Sequence, residues 1–420
     1  MTDFVVVGGG IAGLVLARRL ALGGKTVTLL EASDHLGGTV TRHEVGGIDL
    51  DAGAESFATR GGTVAALATA LGLGGEIVEP NPAGAWLQPA VGPAFRLPEN
   101  SLLGIPGSPL ATDVTPIIGT RAAWRAYSEI FLPGTYAANS KTIGELVRKR
   151  MGGDVLDKLV RPVVRGVHSA DVDNLPVDRV APGLRGAMRR TGSLSHAVLD
   201  LRMTLARAGS AVAGIRGGIA RLVDELEADL VRFGVDLRLN ARVTSVEPDR
   251  AMVDSSRVDG RVVVAAPSIL RGKADSGTRV VLATLVVDEP SLDAAPRGTG
   301  VLVAEGAEGI RAKALTHATA KWEWLARRAN GKHVLRLSYD DDHENLAEVA
   351  REDASRLLGV RLATSTVLDF ARVEWYRPKV VDGTPDEIPL AGESIAGTGL
   401  ASVVAQAESL AGSLLGDAEG

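Results

Sequence analysis

Phe4-Val5-Val6-Val7-Gly8-Gly9-Gly10-Ile11-Ala12-Gly13 is the stretch that decides the fold. Four apolar residues without alternation read as a strand buried on both faces. Gly8, Gly10 and Gly13 then stand as G-x-G-x-x-G, and an apolar helix follows at once. Each glycine has its own reason: Gly8 permits the tight turn, Gly10 lets backbone approach a pyrophosphate, and Gly13 lets helix pack on strand. The amides of the first helical turn, at Ile11 and Ala12, face the phosphates with the positive end of the helix dipole. A second strand over Thr26 to Leu30 closes on Glu31 and Ala32, where an acidic side chain accepts both hydroxyls of an adenosine ribose. A lone glycine pattern is weak, but here strand, turn, helix, second strand and acid agree.

The bulk numbers narrow the classes. A chain of 420 residues holds two domains or one large intertwined unit. Forty-six basic against 51 acidic residues give a net charge of −5, which argues against a general nucleic-acid binder. Fifty glycines and 4% aromatics suit an α/β fold with close backbone packing. Cysteine is absent, which excludes disulfides, a redox-active dithiol, thiolate metal sites and a cofactor linked through cysteine. The seven histidines show no H-x-x-x-H or similar spacing, so no metal site is expected. No apolar run is long enough to span a bilayer. The first strand begins at the fourth residue without a signal peptide, so a cytoplasmic protein is expected, with peripheral membrane contact left open.

Farther along, Gly37-Gly38-Thr39 follows the ribose acid, then a hairpin, then Gly53-Ala54-Glu55-Ser56, small residues that let chain pass close to a ring system. Thr63 to Gly72 reads as a helix ended by glycine. From Pro80 to Pro116 prolines and glycines recur and periodicity is lost. Helices are expected over Arg121 to Phe131 and Thr142 to Val164, the second with a capping box in Thr142 and Glu145. A turn-rich stretch is expected from Arg165 through Gly166, Val167 and His168 to Asp171, then a helix from Ser195 to Ala208. Gly214 to Ile219 opens an amphipathic helix through Arg232. Strands follow at Val235 to Leu237, Ala241 to Glu247 (with Val243) and Val262 to Pro267 (with Ala266). A sheet-rich part spans Val280 to Leu337, with a helix from Glu344 to Leu358. Gly392-Glu393 and Gly399-Leu400-Ala401 lead into a last helix, which offers a second helix dipole.

The Gly37-Gly38 pair, the segment from 214 to 267 and Gly392 to Leu400 occur in this order in the amine-oxidase-like flavoproteins, which the chain resembles. Asp51 to Phe57, Leu103-Gly104-Ile105-Pro106, Gly166 to Asp171 followed by Leu175, Thr316 to Trp322 and Leu335 to Ser338 resemble, within that superfamily, the protoporphyrinogen/coproporphyrinogen oxidases of haem synthesis. The likeness covers nearly the whole chain. Its departures are a shorter cap, Thr39 where the superfamily has arginine, Arg165 where a small residue is common, and Ala405-Gln406-Ala407 where Ser-Gly is common. The resemblance implies a Rossmann-like two-dinucleotide-binding FAD domain, α/β within an α+β whole, built from 1–75, 210–272 and 376–420. A sheet-based substrate domain would take 76–95 and 273–375, and a helical cap 96–209.

It also implies non-covalent FAD, held by the glycine turn, Glu31-Ala32, Gly37 to Thr39, Gly53 to Ser56, Val243, Ala266, Gly392-Glu393 and Gly399 to Ala401. The implied reaction takes six electrons from a porphyrinogen in three hydride transfers to flavin N5, with oxygen as acceptor. Coproporphyrinogen III is the preferred substrate and protoporphyrinogen IX the alternative; a carotenoid-type desaturase or an amine oxidase on the same scaffold stands further off. Because the neighbouring pyrrole nitrogen drives hydride loss, no nucleophile-base constellation is needed. Lys321 is the candidate cation near the flavin. Arg60 and Arg165 are candidates for the substrate carboxylates, beside Gly166, Val167 and His168. Transient contact with the next enzyme of the pathway stays open.

Overall fold

The computed structural model describes residues 2–168, 171–207, 212–266, 269, 277–377 and 387–416. The chain divides into two compact units, one made of 1–80, 211–281 and 373–420, the other of 81–210 and 282–372.

The first unit is organised by a parallel sheet in the order Asp236–Arg238, Val27–Leu30, Phe4–Val7, Arg261–Val264. Phe4 pairs with Val27 on one side and Arg261 on the other, so strands from opposite ends of the sequence meet on the first strand. All four residues of Phe4–Val7 are buried, as an apolar run without alternation requires when both faces of a sheet are covered. The helix Ile11–Leu22 buries Leu14, Leu16 and Leu20 completely, in one core with Leu222, Leu226 and Leu230 of the helix Arg221–Arg232 and Val404, Ala407, Ala411 and Leu414 of the last helix, Leu400–Gly416. Each such leucine contributes about 1.5–3 kcal/mol by leaving water. Thr63–Ala70 forms the expected short helix, and Gly72 follows it at φ 81°, a left-handed conformation that glycine adopts without strain.

The second unit combines a helical core with a mixed seven-stranded sheet. Its strand order is Val367–Arg377, Thr278–Val287, His333–Tyr339, Ala314–His317, Gly300–Val303, Trp86–Gln88, Phe95–Arg96. The proline-rich segment after Pro80 thus supplies the last two strands at one end of the sheet, with Phe95–Arg96 as the edge. Edge positions tolerate the missing amides of proline.

Two expectations change. The helix expected over Thr142 to Val164 is interrupted: Ile143–Met151 ends at Gly152, whose φ of 98° no longer fits a helix, before helical structure resumes. Thr142 caps it as expected, its Oγ1 accepting the Glu145 N–H at 3.2 Å, but Glu145 Oε2 accepts the N–H of Lys141 at 2.8 Å, one residue before the cap. The turn expected from Arg165 is instead the end of a helix, Arg161–His168. Burial of Val163 and Val164, with Arg161 ion-paired to Asp157, Asp171 and Asp173, holds the helix through Gly166. Ser169 and Ala170 lie outside the described residues, as do Ala208 and Pro267.

Candidate functional site: a dinucleotide cradle in the first unit

The three glycines of the first turn have different surroundings. A Cβ on Gly13 would lie 1.9 Å from the Gly8 carbonyl oxygen, and one on Gly8 would lie 2.8 Å from the Ala266 Cβ. Those two glycines therefore serve close packing. A Cβ on Gly10 would meet nothing within 4 Å. That open side is a cradle beside the N-terminus of Ile11–Leu22, a helix whose cap makes no side-chain hydrogen bond and whose first turn holds no acid. Uncapped amides and the positive dipole end remain for an anion.

Glu31 sits at the end of the second strand, with Oε2 accepting the Gly9 N–H at 2.7 Å and Oε1 accepting from the backbone and hydroxyl of Ser33 at 2.8 and 2.7 Å. Burial acts to raise this carboxyl, but the bonds from Ser33, Gly9 and Ala32 outweigh it and hold it below the usual carboxylate range. Glu31 is thus an anionic acceptor fixed against the glycine turn, as a ribose partner must be.

The second glycine pair docks on the first turn. Gly37 N–H donates to the Gly9 carbonyl at 2.8 Å, and a Cβ on Gly38 would be 3.3 Å from the Gly10 Cα. Gly53 runs hard against Thr39, whose carbonyl oxygen would be 2.1 Å from an added Cβ. Ala54, Glu55 and Ser56 follow, half-buried. Ala241 N–H donates to the Glu31 carbonyl at 2.8 Å, which brings Val243 two residues from the acid's own strand end. Gly392 comes within 3.2 Å of the Ala265 carbonyl oxygen and 3.9 Å of the Ala12 Cβ, measured to a notional Cβ. Thr63 Oγ1 donates to the Ala401 carbonyl at 3.0 Å, which pins the start of the last helix after Gly399 and Leu400. Burial raises the Glu393 carboxyl, only partly countered by Arg377, whose Nε is 3.9 Å from it.

Arg60 is exposed in the turn before Thr63–Ala70, and no ion pair involves it among the described residues. Arg165, in the second unit, pairs with Glu305 at 2.7 Å and Asp340 at 3.6 Å. Gly166, Val167 and His168 complete its helix. Lys321 ends a short helix, Ala318–Lys321, with Nζ 5.0 Å from the ring centre of the buried Trp322. No metal-binding group of three or more ligands occurs among the described residues.

Asp51 was not singled out as a site residue. Its buried carboxylate accepts the Ile219 and Ala220 N–H groups, both at 3.0 Å, at the start of Arg221–Arg232. An acid between apolar residues, together with a glycine pair opening a helix elsewhere, was the available signal. Ser33, which holds Glu31, and Gln406 were likewise missed.

A glycine turn open at its middle glycine, a helix end without a cap and an anchored anionic acceptor fit an adenine dinucleotide, and the second glycine pair on the same turn narrows the class to two-segment flavoproteins. The chain belongs to the flavin containing amine oxidoreductase family, which it matches over residues 11–284. It is an oxidoreductase that uses a flavin. It is similar to the coproporphyrinogen III oxidases of Mycobacterium leprae (28% identical, over 96% of each chain) and Mycobacterium tuberculosis (28%, over 96% of this chain and 95% of the relative). Its fold matches the crystal structure of a "putative protoporphyrinogen oxidase" from Exiguobacterium sp. 255-15 with a TM-score of 0.81, at 22% identity over 99% of both chains.

Proposed function

We propose that this protein oxidises a porphyrinogen to the porphyrin with non-covalently bound FAD, and that coproporphyrinogen III is its preferred substrate. The observation that supports this reading is the end-to-end similarity to proteins named for that reaction, joined to a glycine turn open at Gly10 and an anchored Glu31 that suit an adenine dinucleotide. When bound, the flavin supplies the hydride acceptor.

The chain's own part is mostly binding. Gly10 would leave room for the pyrophosphate, and the Ile11, Ala12 and Gly13 amides would donate to it. Glu31 would accept from the ribose hydroxyls, with the Gly37-Gly38 backbone closing the same turn from its other side. Absence of cysteine excludes a thioether link to the flavin. The substrate provides the electronic push: loss of hydride from a bridge carbon is driven by a pyrrole nitrogen that then gives its proton to water. Three such steps remove six electrons, a proton shift from the last bridge carbon to nitrogen completes the porphyrin, and three molecules of oxygen become three of hydrogen peroxide. Carboxylate recognition suits Arg60, which no acid occupies among the described residues, better than Arg165, already paired with two.

The test is incubation of the pure protein with coproporphyrinogen III and protoporphyrinogen IX in separate cuvettes, following porphyrin fluorescence and peroxide. Rapid fluorescence gain with the first supports the proposal. Turnover of protoporphyrinogen IX alone reverses the substrate preference, and failure of either to bleach the flavin under anaerobic mixing removes the reading.

A further inference from the structure

The last helix carries one side chain whose two polar ends are both used on a distant turn. Gln406 Nε2 donates to the Leu390 carbonyl at 3.0 Å, and its Oε1 accepts the Gly392 N–H at 3.3 Å. The segment it grips extends the parallel sheet: Val264 N–H donates to the Pro389 carbonyl and Ala391 N–H to the Val264 carbonyl, each at 2.9 Å. Gly392, at φ 107°, leaves that sheet edge against Ala265 and Ala12, beside the first turn of the first helix. The grip has a fixed base, because Thr63 holds the helix start through the Ala401 carbonyl.

Serving a carbonyl and an N–H two residues apart takes a group with a donor and an acceptor on one short fork. An amide has both, a carboxylate lacks the donor and an apolar chain lacks each. We infer that Gln406 is a positioning residue for flavin binding: its amide holds Leu390 and Gly392 so that Gly392 and Glu393 are presented beside the N-terminus of the first helix. The inference rests on the reading of this unit as the FAD cradle. It concerns a residue that touches the cofactor only through the turn it holds.

Apoprotein of the full chain is titrated with FAD, reading the quenching of flavin fluorescence, and the visible absorption and circular dichroism are recorded at saturating FAD. Gln406→Leu is expected to raise the FAD Kd about tenfold, which is about 1.4 kcal/mol. Gln406→Glu, nearly the same shape, is expected to do the same because it cannot donate to Leu390. Both should alter the bands of the flavin that remains bound at saturation, which mere loss of stability leaves unchanged. A Kd within twofold of wild type with unaltered bands overturns the inference. If the leucine variant fails to fold, the glutamate variant decides alone by the same criterion. Wild-type apoprotein that binds no FAD would instead count against the cradle itself.

Discussion

His317 and His333 form a buried pair whose cost should be visible as acid sensitivity. The antiparallel pairing of Ala314–His317 with His333–Tyr339 brings them together, with His317 Nε2 and His333 Nδ1 3.1 Å apart. His317 is 1% exposed, and its Nδ1 has no hydrogen-bond partner. Burial first, and the adjacent His333 second, push His317 down to about 4. Burial also lowers His333, opposed by Asp293, whose carboxylate is 3.2 Å away, and by Asp288 and Glu289. Above pH 6.5 His317 is neutral folded or unfolded and stability does not depend on it. Below 6.5 the unfolded chain takes up a proton that the folded chain refuses, so stability falls until about pH 4 and then levels. At about 1.4 kcal/mol per pH unit the full window costs about 3 kcal/mol. His317→Phe removes that titration. Urea unfolding, read by fluorescence of the buried Trp322, is measured for both proteins from pH 7 to 4.5. Perturbed carboxyls such as Asp353 titrate in both and cancel. The variant's deficit at pH 7 should shrink by about 2–3 kcal/mol at pH 4.5. Parallel stability curves for the two proteins would refute the assignment of a neutral, acid-resisting His317.

Gly10→Ala should leave the melting temperature of the apoprotein nearly unchanged while weakening FAD binding at least tenfold, because its Cβ meets no protein atom and enters the cradle. Gly13→Ala should do the reverse and destabilise the apoprotein by several kcal/mol, since its Cβ would meet the Gly8 carbonyl oxygen at 1.9 Å; equal effects of the two on apoprotein melting would contradict this division of labour. Glu129→Gln should cost about 3–5 kcal/mol in urea unfolding. Glu129 and Arg150 are wholly buried partners at 2.7 Å, and Glu129 also receives the Leu194 and Ser195 amides. Asp51→Asn should lower stability by about 1–3 kcal/mol through loss of one of its two acceptor oxygens, with hydrogen exchange at Ile219 and Ala220 as the local readout.

What the sequence discloses follows the range over which each contact acts. The glycine turn is partly local: Gly13 packs on the nearby Gly8 carbonyl, which the spacing implies, whereas Gly8 meets Ala266 from far along the chain. Glu31, like Gly13, is legible from spacing. Asp51 is not, because the amides it receives are 168 and 169 residues away in sequence. The histidine pair is hidden for a related reason, since its members lie 16 residues apart with two short helices between them and meet only through strand pairing. Arg165 to His168 misleads in the opposite direction. Glycine beside small and polar residues is a fair local signal for a turn, and packing of Val163 and Val164 overrides it.

A cradle made largely of backbone asks little of side chains. Amides and carbonyls belong to every residue, so only the positions that must lack a side chain, and one acid, are constrained. The porphyrinogen proposed above as substrate allows no such economy, because its carboxylates need guanidinium groups with free forks. Arg165 has the right chemistry, yet Glu305 and Asp340 occupy it and would have to be displaced at the cost of two ion pairs. Arg60 carries no such competition among the described residues. Specificity should therefore follow the uncommitted arginine: Arg60→Ala should raise KM for coproporphyrinogen III severalfold and leave FAD affinity untouched, while Arg165→Ala should mainly lower stability. Steady-state kinetics paired with FAD titration separates the two, and a KM that moves with Arg165 alone would return the carboxylate contact to the helix of the second unit.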